Sequence, residues 1–184
     1  ITELFRTENN SKIGYNTLIV KKITVKFVLF YFRVLAKLQL RKINPVIIGV
    51  GGASGKTSLS LFIYLILKEK YKVRQGMGKN SQTGLPLNIL GLSINNYLIS
   101  DWLKAFIIAP FKLIFDWKKY DVYVAEMGID GPFEPKNMSY LLKILRPQIG
   151  VITNIALEHS QYFDSSVIKS NLQEREKEIL TCRL

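Results

Sequence analysis

The stretch NPVIIGVGGASGKTSLSLFIYLIL, Asn44 to Leu67, reads as a short apolar strand, a glycine-rich turn and an apolar helix opened by Gly55-Lys56-Thr57. A chain builds a phosphate cradle in this way. The first turn of a helix presents unpaired N–H groups and a partial positive charge, and glycine lets the backbone close on an anion. Gly51, Gly52 and Gly55 supply that freedom, Lys56 can reach terminal phosphates, and the Thr57 hydroxyl can ligate Mg²⁺. The common spacing G-x-x-x-x-G-K-[ST] asks for glycine at position 50, however, and Val50 stands there. The competing reading is a glycine-rich turn with an incidental Lys-Thr pair. It is the weaker one, because strand, turn, Lys-Thr and helix all follow in order.

Working outward, the pattern after Asn44-Pro45 alternates strands with helices. A helix is expected over Lys56 to Lys70, a second strand over Asp121 to Gly128 (DVYVAEMG), a helix over Pro135 to Leu145, and a third strand over Gln148 to Ile155 (QIGVITNI). Such alternation predicts an α/β fold with a mostly parallel sheet flanked by helices and a ligand at the carboxyl ends of the strands. The aromatic, amphipathic segment Asp101 to Tyr120 contains Pro110, which should kink or split its helix. Core or lid packing suits that segment better than substrate or membrane contact.

The 184 residues are 48% hydrophobic, enough for one ordinary domain with a sizeable core. The net charge of +12 is unevenly spread: Ser11 to Lys42 holds eight Lys or Arg and no Asp or Glu. Within Leu18 to Leu40, Lys22, Lys26, Arg33 and Lys37 fall within about 60° of one another on a helical wheel. The charges interrupt any apolar run long enough to span a bilayer. Two readings stay open for this basic amphipathic helix: packing against a neighbouring domain with the stripe in water, or peripheral contact with anionic lipid at the inner face of a membrane. Nucleic-acid binding has only the high charge in its favour, with no base-stacking or recognition motif, and is not expected. The single cysteine, Cys182, excludes an internal disulfide framework and fits a reducing, cytoplasmic setting. The expected division is a basic N-terminal segment over residues 1–43 and an ATP-binding domain over residues 44–184, incomplete at its C-terminus.

Glu126 ends the second strand, where a carboxylate facing a phosphate loop can hold Mg²⁺ or position a nucleophile; a solvated strand-end charge is the equal alternative. The only histidine, His159, follows the third strand and Asn154. A lone histidine is more often structural than ligating, but this one falls on the sheet edge that carries the loop and Glu126.

IIGVGGASGKTS, GLPLNIL, VAEMGIDGPFEP and IGVITNIALEH together resemble the successive motifs of the Mur ligase central domain, in the same order. That family uses a shorter loop, G-[TS]-x-G-K-[ST], with an additional glycine before it, so Val50 between Gly49 and Gly52 is what the resemblance leads one to expect. It further implies that Gly52, Ala53, Ser54, Gly55, Lys56, Thr57 and Ser58, with Asn80 and Asn154, bind ATP, and that Thr57, Glu126 and His159 serve the metal ions. A lysine beyond the histidine is carbamylated in this family. Lys177 is the candidate here, and a solvated helix lysine is the alternative. Two departures stand out: Gln82 where an acid is usual, and Ala53 where Thr or Ser is commoner.

The resemblance implies an ATP-dependent amide-forming ligase of peptidoglycan precursor synthesis. Its acid would be a UDP-linked muramoyl peptide, activated as an acyl phosphate, and its amine D-Ala-D-Ala. The family enzyme has two further domains, so this chain is expected to bind ATP·Mg²⁺ weakly and not to catalyse ligation alone. The rivals are a folylpolyglutamate- or cyanophycin-type ligase of the same superfamily, and a membrane-associated phosphate-loop module.

Overall fold

The computed structural model describes residues 15–76, 78–94, 98–116 and 118–155, with side chains from residue 24 onward. Its elements, in order, are α1 (Tyr15–Ile43), β1 (Val46–Gly51), α2 (Lys56–Leu67), β2 (Val73–Gln75), α3 (Gly84–Ile89), α4 (Ile99–Phe115), β3 (Val122–Glu126), α5 (Met138–Leu145) and β4 (Ile149–Ile152). The four strands form one parallel sheet in the order β2-β3-β1-β4. Parallel strands need crossovers, and the sequence supplies them as helices of apolar face. β1 sits between β3 and β4, with Val50 opposite both Glu126 and Val151. This register brings the ends of three strands to one edge. The expected helices and strands are found with trimmed ends. β2 went unforeseen, being three residues long and mostly polar.

The two faces of the sheet are covered differently. Ile48, Val50, Val122 and Val124 face α2, through Leu59 and Ile63. Ile47, Tyr123 and Ala125 face the other way, into a core completed by Ala36 and Leu40 of α1, Leu85 and Ile89 of α3, and Leu141 and Ile144 of α5. Val50 is therefore a fully buried strand residue under α2. A glycine there would leave a void, which explains the valine more directly than any loop motif does.

The first helix spans the segment expected to be helical, and its buried residues Val25, Leu29, Phe32, Ala36 and Leu40 recur at helical spacing. It is a packed helix, as one of the two readings had it. The surface it packs on is not a neighbouring domain, however, but α3, α4 and α5 of the same body as the phosphate loop. One residue of the basic stripe is engaged with it: the Arg33 guanidinium lies over the Tyr140 ring of α5, 5.3 Å from its centroid. No helix among the described residues is long and apolar enough to cross a membrane.

Pro110 does not split α4, which runs unbroken from Ile99 to Phe115. A proline in a helix removes one N–H and orphans the carbonyl four residues earlier, here that of Phe106. The Tyr31 hydroxyl of α1 donates to that carbonyl at 2.8 Å, and its ring stacks on Phe106 with centroids 4.0 Å apart. At the far end, the Lys42 ammonium of α1 donates to the carbonyls of Leu113 and Asp116, at 2.6 and 2.8 Å, capping the terminus of α4. Side chains of α1 thus satisfy carbonyls that α4 leaves open. Tyr31→Phe keeps the ring stack and strips the donor, so it should cost about 1–2 kcal/mol in denaturant unfolding. The same change in a Pro110→Ala background, where the backbone N–H is restored, should cost less than half as much. Equal costs in both backgrounds would show that the hydroxyl does not compensate the proline.

Candidate active site

Between β1 and α2 the chain turns through Gly52 and Gly55, both with positive φ, +125° and +77°. At Gly52 a Cβ would lie 2.1 Å from the Thr153 hydroxyl and 2.9 Å from the Asn154 carbonyl, so the close approach of β4 requires glycine there. Gly55 precedes the first residue of α2, and the first bond of that helix runs from the Leu59 N–H to the Gly55 carbonyl. The N–H groups at the start of α2 therefore have no carbonyl partner within the helix, which is the arrangement that binds phosphate.

The loop is braced from β4. The Ala53 N–H donates to the Asn154 carbonyl and the Ser54 N–H to Asn154 Oδ1, both at 2.9 Å, while Asn154 Nδ2 donates to Ser54 Oγ at 2.8 Å. Thr153 Oγ1 donates to the Ser54 carbonyl at 2.6 Å. Asn154, expected from the resemblance to touch ATP, is in this structure a clamp on the loop. It occupies the Ser54 amide, leaving the amides from Gly55 onward for an anion. Asn154→Ala should therefore loosen the loop without unfolding the domain, raising the ATP dissociation constant about tenfold. Calorimetric titration checks this, and an unchanged constant would reduce Asn154 to a surface contact. Thr153 was not anticipated, since a strand-end threonine carries no signal in a single sequence.

Glu126 lies at the end of β3, opposite Val50, and is only 3% exposed. The Thr57 hydroxyl donates to its Oε2 at 3.0 Å and Asn80 Nδ2 to its Oε1 at 3.1 Å. Of the two readings left open, the solvated strand-end charge is not what the fold produces. The carboxylate is buried and held from two sides. Asn80 is itself fixed, its carbonyl accepting from the Gly128 N–H at 3.2 Å. The Lys56 ammonium folds back over the loop and donates to the Ala53 carbonyl at 2.5 Å, the bond a terminal phosphate would compete for. These groups line one cavity of about 580 Å³, open at the carboxyl edge of the sheet, together with Gly52 to Ser58, Asp130 and Met138. His159 and Lys177 lie outside the described residues.

The donor set suits a nucleotide phosphate with Mg²⁺. A helix N-terminus with a left-handed glycine makes the anion cradle, and a hydroxyl with one buried carboxylate is the protein share that Mg²⁺ takes when phosphate oxygens and water complete its shell. Among the described residues no three His, Cys, Asp or Glu side chains gather into a metal cage.

The Mur ligase middle domain model matches residues 50–167, well over half of the chain. Over 130 residues the chain is 31% identical to the UDP-N-acetylmuramoyl-tripeptide--D-alanyl-D-alanine ligase of Borreliella burgdorferi, a span covering 70% of this chain and 22% of that protein. Over 147 residues it is 28% identical to the enzyme of the same name from Bacillus subtilis, covering 79% of this chain and 26% of that one. The chain thus spans about a quarter of the length of these curated relatives. No solved structure gives a significant match. The matched span runs from the strand that enters the phosphate loop, through the buried glutamate, to beyond the asparagine clamp, and on that ground the chain belongs to the Mur ligase family through its middle domain.

Proposed function

We propose that this chain carries the ATP-binding, carboxylate-activating centre of an amide-forming ligase that adds D-Ala-D-Ala to a UDP-linked muramoyl peptide in the cytoplasm. The observation that carries the reading is the juxtaposition of Lys56, Thr57 and the buried Glu126 around one phosphate cradle. The names of the two relatives supply the substrate class. Residues 44–184 form the central domain on this reading, and residues 1–43 are a segment whose helix braces it.

ATP, when bound, supplies the phosphoryl group that turns an unreactive carboxylate into an acyl phosphate open to attack by an amine. The chain's own part is positioning and charge stabilisation. The amides from Gly55 to Thr57 would hold phosphate oxygens, and Lys56, which donates to the Ala53 carbonyl, would turn to the terminal phosphate and offset negative charge there. Thr57 and Glu126 would hold Mg²⁺. Asn80 keeps the Glu126 carboxylate turned toward Thr57, and the Asn154 clamp fixes the loop so that little reorganisation accompanies reaction. His159 and Lys177 are proposed to complete the metal sites, Lys177 as its carbamate.

The reading is tested by isotope transfer. With the muramoyl tripeptide carboxylate labelled with ¹⁸O, a longer protein containing this chain should deliver one label into inorganic phosphate for each amide formed. Label released into AMP or water in place of inorganic phosphate would rule out acyl-phosphate activation. The chain alone should bind ATP·Mg²⁺ and form no amide.

A further inference from the structure

Beside the phosphate-loop cavity lies a second one, of about 510 Å³, and the two share a wall: Ile129, Met138 and Leu142 line both. The charged lining of the second cavity is cationic, with Lys37 from α1 and Lys143 and Arg146 from the end of α5. Lys143 pairs with Glu134. Lys37 and Arg146 instead face each other's charge. The Lys37 ammonium is held below its ordinary pKa by burial first, and then by Arg146, Arg41 and Arg33. Arg146 also takes the left-handed backbone at the end of α5, φ 47° and ψ 62°, a position that favours glycine or asparagine. Like-charge repulsion and backbone strain thus converge on one arginine. Such costs persist in folds where the side chain serves a ligand.

We propose that this second cavity binds a carboxylate or phosphate group of the acid substrate, whose reacting carboxylate reaches the phosphate loop across the shared wall. The proposal rests on the ligase reading above. ATP has its own cradle at the Gly55 to Thr57 amides, so the cations of the second cavity are left for the other polyanion of the reaction. Lys37 and Arg33 are the members of the α1 stripe that lie on the side of α5. A bound anion relieves the repulsion between Lys37 and Arg146, and its hydrogen bonds to them are charge-assisted.

The test uses the chain labelled with ¹³C at its methionine methyl groups. Met127 lines only the phosphate-loop cavity, whereas Met138 lines both. With a non-hydrolysable ATP analogue and Mg²⁺ saturating, UDP-N-acetylmuramoyl-tripeptide should shift Met138 and leave Met127 in its nucleotide-bound position. Lys37→Ala and Arg146→Gly should each weaken this second titration about tenfold and leave the affinity for the ATP analogue unchanged. Arg146→Gly should do so with an equal or higher thermal midpoint, which separates lost recognition from lost folding. Competition by UDP alone assigns the recognised group to the diphosphate, and competition by N-acetylmuramoyl-tripeptide assigns it to a carboxylate. Unchanged substrate affinity in both variants overturns the proposal, as does an equal loss of affinity for the ATP analogue. If the ATP analogue fails to shift Met127, the ligase reading fails instead, and the same titration without nucleotide then decides whether the cavity binds anions.

Discussion

Lys56→Ala is expected to weaken ATP binding about 100-fold, because it removes a charge-assisted contact to the terminal phosphate that backbone amides do not replace. The ammonium also bridges the loop to the Ala53 carbonyl, so the loss combines a direct contact with a looser cradle. Lys56→Gln separates the two. The amide can still donate to Ala53 but brings no charge, and should recover only a small part of the affinity. Neither variant should move the thermal midpoint by more than a degree or two, since the site of change lies outside the hydrophobic clusters. Calorimetric titration with ATP and Mg²⁺ gives the answer. Affinity retained in Lys56→Ala would mean that the turn is not a nucleotide cradle, and the functional reading would fall with it.

Glu126→Gln should leave metal-free ATP binding within about threefold of the parent and abolish most of the enhancement that Mg²⁺ brings. The substitution is well matched to the site. The introduced carboxamide keeps the shape of the carboxylate, its oxygen can accept from Asn80, and its NH₂ group can donate to the Thr57 hydroxyl, so the buried polar network stays satisfied. Only the charge is lost. Glu126→Ala is a poorer probe, because it strands Thr57 and Asn80 without their acceptor at a cost of about 1–3 kcal/mol in stability. An identical Mg²⁺ dependence in Glu126→Gln and the parent would make the carboxylate a structural anchor for the loop and Asn80.

Much of this site was legible because its residues are local in the chain. Gly52, Gly55, Lys56 and Thr57 occupy one turn, and the physics that joins them, a strand feeding a helix through left-handed glycines, is written in consecutive residues. Glu126 was legible as the end of a strand, but not as a buried group. Its environment depends on Thr57 and Asn80, far away in sequence, meeting it at the sheet edge. Asn80 and Asn154 were both recognised as belonging to the site. Their work, orienting a carboxylate and clamping a loop, is a matter of which atom faces which, and residue type does not encode that. The basic stripe of α1 was equally visible, yet the structure sets Arg33 over the Tyr140 ring of α5 and Lys37 in a second cavity instead of leaving both simply in water.

The sequence by itself determined the alternation of strands and helices, the phosphate loop and the family, since each rests on short-range periodicity or on contiguous motifs. Tertiary structure alone decided that β1 lies between β3 and β4, that Val50 belongs to the core, that Tyr31 repairs the break Pro110 makes in α4, and that Lys37 and Arg146 line one cavity. The division has one physical cause. Backbone geometry and helix ends are set by neighbours along the chain, whereas burial, strand order and the partner of a polar atom are set by residues that folding brings together from a distance.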